Sequence, residues 1–227
     1  MTDAEIPPAA FAPQVVLAAE LMRRLVPGEG SHDGAHDLAH VLRVWRNACR
    51  IGAAEGLDAA GPRGPALAAA VLLHDCVAVE KSSPLRARAS RLAAARAKEI
   101  LAALGWSAPA TAEVAHAIAA HSFSAGIPPE SLLARVLQDA DRLDALGHIG
   151  IARCFYTGGR LGSALYHPTD PAAAHRTLDD AHYALDHFRA KLLRLGEGFQ
   201  TTTGAGLAAE RSAVVAGFLA GLEAELA

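Results

Sequence analysis

Three histidine–aspartate doublets stand in the first third of the chain. Two lie within SHDGAHDLAH (31–40), as His32–Asp33 and His36–Asp37, and the third lies within AAVLLHDCVAV (69–79), as His74–Asp75. An imidazole nitrogen beside a carboxylate oxygen suits a borderline or hard divalent cation. With 11 histidines in 227 residues some adjacency arises by chance, so each doublet is weighed by its surroundings.

His74–Asp75 sits in the most apolar stretch of the chain, where an unpartnered carboxylate would be costly. A cation is the simplest partner. The plainer alternative is an aspartate at a helix end bonded to nearby backbone, with His74 a satisfied core histidine. Upstream, His36, His40 and Val44 are four apart and share one helical face, so the two histidines can ligate together or serve separately. Asp33 and Asp37 fit the start of that helix, where the positive dipole end favours acid, and a capping role is their plainer reading. A third component is QDADRLDALGHIG (138–150), with Asp139, Asp141 and Asp144. Asp139 and Asp141 diverge by about 200° on a helix and cannot serve one centre. Asp141, Asp144 and His148 share a face, and periodicity leaves Asp141 against Asp144 open.

These residues need helices to position them, and the chain is rich in helix formers. It is 52% hydrophobic and only 5% aromatic, a composition dominated by small apolar residues that favours helix packed on helix. Apolar spacing and breaker residues predict helices over about 13–26, 35–55, 66–79, 83–104, 109–121, 129–157 with a break near Gly147, 172–196 and 206–226. Ser83 and Pro84 read as the cap and first residue of the fourth. YTGGRLGSALYHPTDP (156–171) reads as a loop, residues 1–12 as a flexible tail, and residues 13–227 as one domain. No stretch alternates like a strand. The fold class is all-α, a single-domain helical bundle.

In their order, H…HD…D, the candidate ligands resemble those of the HD-domain superfamily of metal-dependent phosphohydrolases. The resemblance matches the first histidine to His40 in HDLAHVLRV, the doublet to His74–Asp75, and the closing aspartate to Asp141 in ADRL. EKSSPLRARASRLAA, HAIAAHSFSAGIPP, QDADRLDALGHIGIAR and DDAHYALDHFRAKLLRL extend the likeness over roughly residues 30–225, towards a bacterial subgroup of HD hydrolases, some of them similar to nucleotide pyrophosphohydrolases. It implies an HD-type helical domain holding one divalent ion (Mn, Mg, Ni, Fe or Zn) on His40, His74, Asp75 and Asp141. The implied reaction is hydrolysis of a phosphoester or phosphoanhydride in a small phosphorylated molecule, a nucleotide first of all. The departures narrow it: Cys76–Val79 stand where alarmone hydrolases carry Glu-Asp, and no GYP motif of cyclic-dinucleotide enzymes follows.

Asp75 is expected to share in the chemistry. In related enzymes, histidines between the doublet and the final aspartate bind phosphate, protonate leaving groups or ligate a second metal; here these are His116 and His121. Phosphate contact or general-acid work is favoured, since histidine titrates near working pH; by spacing alone, one could equally be core and the other cap a helix end. His36, Lys81, Arg86 and Asp144 are the expected substrate contacts, Lys81 and Arg86 adding cations to the amides of a helix start.

A net charge of −3 gives no electrostatic footprint for nucleic acid. The longest uninterrupted apolar run, ALAAAVLL (66–73), is far below the roughly 20 residues of a membrane span. Three widely spaced cysteines fit core thiols in a reducing cytoplasm. A homodimer stays open. The rival function is a non-catalytic helical module that senses a metal or nucleotide.

Overall fold

The Ala- and Leu-rich segments fold as helices. The structure is a computed structural model; it describes residues 7–25, 38–77, 79, 83 and 85–226, with the backbone alone for Leu38, Arg86 and Ser124. Among the described residues there are nine α-helices and no β-strand: α1 (Val15–Arg24), α2 (Leu38–Glu55), α3 (Gly64–Leu73), α4 (Ala89–Ala103), α5 (Ala108–Ala120), α6 (Leu132–Leu143), α7 (Gly147–Leu161), α8 (Ala184–Ala190) and α9 (Thr202–Leu226). They form two compact units, one up to Asp141 and one from Arg142.

In the first unit α3 is apolar on every side, and a helix of that kind must be enclosed. Leu67 through Leu73 are all buried, and α1, α2, α4 and α5 pack around them. Gly64 lets the start of α3 approach residue 59: a Cβ there would overlap the Ala59 carbonyl, which also accepts a hydrogen bond from Gln14 Nε2 at 2.8 Å. α4 and α5 pack along each other, and Ser107 caps α5 by accepting from the Ala110 N–H.

Three expectations change here. Residues 8–11 of the expected tail form a 3₁₀ turn, because Phe11 is fully buried with its ring 5.7 Å from that of Trp45. α3 stops at Leu73, so the His74–Asp75 doublet follows the helix instead of lying inside it. α4 begins at Ala89 behind a 3₁₀ turn (Arg86–Arg88), and Ser83 Oγ accepts from the Leu85 N–H, capping a turn rather than the helix.

In the second unit Gly147 opens α7 with φ +64°, a conformation that favours glycine, at the expected break. α7 then takes in Tyr156–Leu161 of the expected loop. The helix expected over 172–196 contracts to α8 and a 3₁₀ turn (Leu192–Arg194). The cause is side-chain capture of backbone amides. Asp170 accepts from the Ala174 and His175 N–H groups, and fully buried Asp186 pairs with Arg176 while accepting from the Asp179 N–H at 2.7 Å. Ile151, Leu185, Phe188, Leu192, Val215 and Leu219 form the core of this unit. By length and composition α9 is apolar enough to cross a membrane; it buries Leu207, Ala208, Val215 and Leu219 within the protein. The three cysteines are free, their thiols pushed up to about 11 by burial.

Candidate metal centre

Two apolar helices of the first unit end on a histidine. His74 is the C-cap of α3 and His121 the C-cap of α5. The last carbonyls of a helix lack partners along the chain, and each ring supplies one: His74 Nδ1 bonds the Val71 carbonyl at 2.7 Å, and His121 Nδ1 bonds that of Ile118 at 2.7 Å. A carbonyl only accepts, so the proton sits on Nδ1 in both. In the neutral ring Nε2 then carries a lone pair directed away from the helix, the orientation of a metal-ligating imidazole held by its other nitrogen.

α2 brings His40 and α6 brings Asp141 to the same place. His40 Nε2 lies 3.3 Å from His74 Nε2 and 3.3 Å from Asp141 Oδ1. Asp75 Oδ2 lies 3.5 Å from His74 Nε2 and 4.0 Å from His40 Nε2, while Asp75 Oδ1 is 3.6 Å from His121 Nε2. Donor atoms of His40, His74 and Asp141 fall within 4.8 Å of one another, as do those of His74, Asp75 and His121, so two ligand groups share His74. The three rings are buried, whereas the Asp75 and Asp141 side chains are 41% and 26% exposed. The cluster therefore opens on its carboxylate side.

Its electrostatics suit a cation. α3, α5 and α6 end here and present the negative ends of their dipoles, against the one positive end of α2. Burial, the largest influence on His74, lowers its pKa against the pull of Asp75 and Asp141, which keeps the ring neutral at neutral pH. Burial works the other way at the carboxylates and is outweighed, by His40 at Asp141 and by His74 and His121 at Asp75, so both stay below the ordinary carboxylate value. The ion partners of both carboxylates among the described residues are imidazoles. Two charged carboxylates around a neutral His74, with no lysine or arginine paired to them among the described residues, leave room for positive charge, and mixed N/O donors match a divalent ion. The residues fit the metal.

None of the other expected contacts joins either ligand group among the described residues. His36 and Lys81 lie outside the described residues, and Arg86 is placed by its backbone in the turn before α4. His116, on α5, is half-buried and accepts the Glu130 N–H on Nε2 at 3.3 Å, outside both ligand groups. Its Nε2 faces the loop after α5 rather than the cluster. Asp144, expected as a substrate contact, is 1% exposed and paired with Arg153 at 2.8 Å. Of the aspartates that periodicity left open, it is Asp141 that meets His40. His121 joins a ligand group, which spacing alone left undecided; that it closes an apolar helix, as His74 does, was the available signal. Arg142, next to Asp141, points its guanidinium at the carbonyls of Leu195 and Gly198 and over the Phe199 ring.

Histidines at helix ends, an HD doublet and an aspartate on a later helix define the HD domain, and residues 37–146 match the HD-domain family model. The chain belongs to this family, with the all-α fold of HD-superfamily hydrolases. It is 32% identical over 195 residues to the Bacillus subtilis protein YpgQ, covering 84% of each chain. The solved structure of YpgQ in complex with ADP is similar, with a TM-score of 0.67, 29% identity, and 93% of this chain and 96% of that one covered. So is that of an HD-superfamily hydrolase from Bacillus thuringiensis, with a TM-score of 0.68, 28% identity, and coverage of 93% and 97%.

Proposed function

We propose that this protein is a cytoplasmic, metal-dependent phosphohydrolase that cuts a phosphoanhydride or phosphoester bond in a small phosphorylated molecule, a nucleotide being the favoured class. The observation that carries the reading is the convergence of His40, His74, Asp75, His121 and Asp141 from the ends of four helices. The relative that was solved with ADP supports the substrate class.

In this reading His40, His74, Asp75 and Asp141 hold one divalent ion, with Mn, Mg, Ni, Fe and Zn all compatible with the donor set. When bound, such an ion polarises a phosphoryl oxygen and lowers the pKa of a coordinated water. Asp75, the most exposed of the four, accepts a proton from water at its carboxylate and hands it to the lone pair of His121 Nε2, 3.6 Å away. His121 in turn can protonate a leaving oxygen or hold a phosphate. His36, Lys81 and Arg86 are proposed to bind the anionic substrate, Arg86 from the turn that leads into α4. His116 and Asp144 drop out of the catalytic and binding sets.

The test is a phosphate and pyrophosphate release screen over nucleoside mono-, di- and triphosphates with Mn²⁺ or Mg²⁺, run beside Asp75→Ala with metal analysis of both proteins. Metal-dependent release by the wild type, lost in the variant, is expected, and the product ratio names the bond. Undiminished release by Asp75→Ala at equal metal content would overturn the reading. Bound metal without turnover of any phosphorylated substrate would leave the sensor module in its place.

A further inference from the structure

We infer that Asn47 and Gln138 are positioning residues of the metal centre, two buried amides that hold α6, and with it Asp141, in register with α2 and α5. The inference rests on the reading of the cluster as a metal centre. Asn47 is 7% exposed, and its Nδ2 donates to the Ala140 carbonyl at 3.0 Å. Gln138 is 3% exposed, and its Nε2 donates to the Ala120 carbonyl at 2.7 Å.

The pattern is the same on both sides. Asn47 follows His40 by two helical turns on α2, and it grips the residue immediately before Asp141. Gln138 precedes Asp141 by one turn on α6, and it grips the residue immediately before His121. Each amide thus stands on the face of one ligand and seizes the backbone beside another. Ala120 is the last residue of α5, where no helical partner follows along the chain, and Ala140 lies in the last turn of α6. Each bond ties down a helix end beside a ligand. Gln138 Oε1 is buried without a hydrogen bond among the described residues, so the Ala120 bond is what anchors that amide.

This matters because the ligand atoms come from different elements and lie 3.3 to 4.0 Å apart. A slide of a few tenths of an ångström between α6 and its neighbours would change the donor set, not merely loosen a core. Neither amide belongs to a ligand group, so both act through His40, His121 and Asp141.

The experiment uses the full chain, with Gln138→Met and Asn47→Leu, which keep size and lose the donor, and Leu101→Ala as a control buried in α4 of the same unit. Long-range ¹H–¹⁵N spectra of the metal-free proteins read the imidazoles, and calorimetric titration with Mn²⁺ reads affinity. The expected result is that the His40 and His121 signals move in the amide variants while those of His182 stay, and that the Mn²⁺ dissociation constant rises roughly 10- to 100-fold. Leu101→Ala lowers the unfolding midpoint at least as far and changes neither readout. Unmoved imidazole signals and wild-type affinity in both amide variants, whatever their stability, would reduce the bonds to ordinary core contacts and overturn the inference. The two sites are independent, so loss of folding in one variant leaves the other to decide. If the wild type binds no Mn²⁺, the metal reading fails while the imidazole signals still decide the positioning.

Discussion

At the scale of single residues, the His74 ring does three things at once: it ends α3, fixes its own tautomer and supplies a donor atom. Removing a donor should therefore cost more than the roughly 10- to 100-fold typical of outer-shell changes. Asp141→Ala and His74→Ala are expected to lose Mn²⁺ binding and turnover beyond that range with helicity retained, measured by steady-state assays and circular dichroism. His116→Ala should keep turnover within a few-fold of wild type and cost about 1 kcal/mol of stability, the worth of one hydrogen bond. The pKa shifts also set a direction. The folded His74 holds a lowered pKa, so below the ordinary histidine value of about 6.5 the unfolded chain takes up a proton that the folded one refuses. Stability of the metal-free protein must fall as pH drops through that value. Asp141 adds a second loss lower down: its folded pKa is depressed, so its contribution is present above about 3.9 and disappears as pH falls further towards the folded value. Urea midpoints between pH 7.5 and 5 test the first part; a flat or rising stability towards acid would contradict it.

At the scale of elements, the segment before α8 shows how one side chain can overrule helix propensity. Breaking a buried ion pair by removing one partner costs about 3–5 kcal/mol. Asp186→Ala should approach that range in urea unfolding, because it strands Arg176 and frees the Asp179 amide. This also explains what could be read beforehand. α5, with its Ser107 cap, and the break at Gly147 follow from local signals that a sequence displays. The end of α3 does not, because apolar spacing continues through Val77 and Val79, and what stops the helix is a ring folding back on the Val71 carbonyl. The span before α8 departs from its periodicity for a related reason: the Arg176–Asp186 pair joins residues whose spacing carries no helical signal. The clustered residues were more legible than the helix ends. His40, His74 and Asp75 stand out by type and order, whereas periodicity left Asp141 against Asp144 open and only the resemblance chose Asp141; in the fold Asp144 pairs with Arg153.

At the scale of the whole molecule, all five clustered residues belong to the first unit, while the second has its own core and its own ion pairs. Mn²⁺ at about 100 times its dissociation constant should stabilise the folded chain by ~2.7 kcal/mol, a shift that EDTA reverses and Asp141→Ala abolishes. Melting curves read it directly, and no shift for the wild type would count against the centre.

The uneven exposure of the cluster sets an order of events. The imidazoles face inwards, so whatever arrives from solvent meets Asp75 and Asp141 first. To a polyphosphate that doorway is a fence of like charge until a cation stands in it. Nucleotide should consequently enter second, or already paired with its cation, and the two routes share a signature in ionic strength. Without divalent ion, added salt screens the repulsion and should strengthen the weak binding of ADP; with Mn²⁺ present the same salt should weaken it. Equilibrium titrations at low and high potassium chloride would expose this reversal of sign, and salt dependence of one sign in both conditions would place the entrance elsewhere.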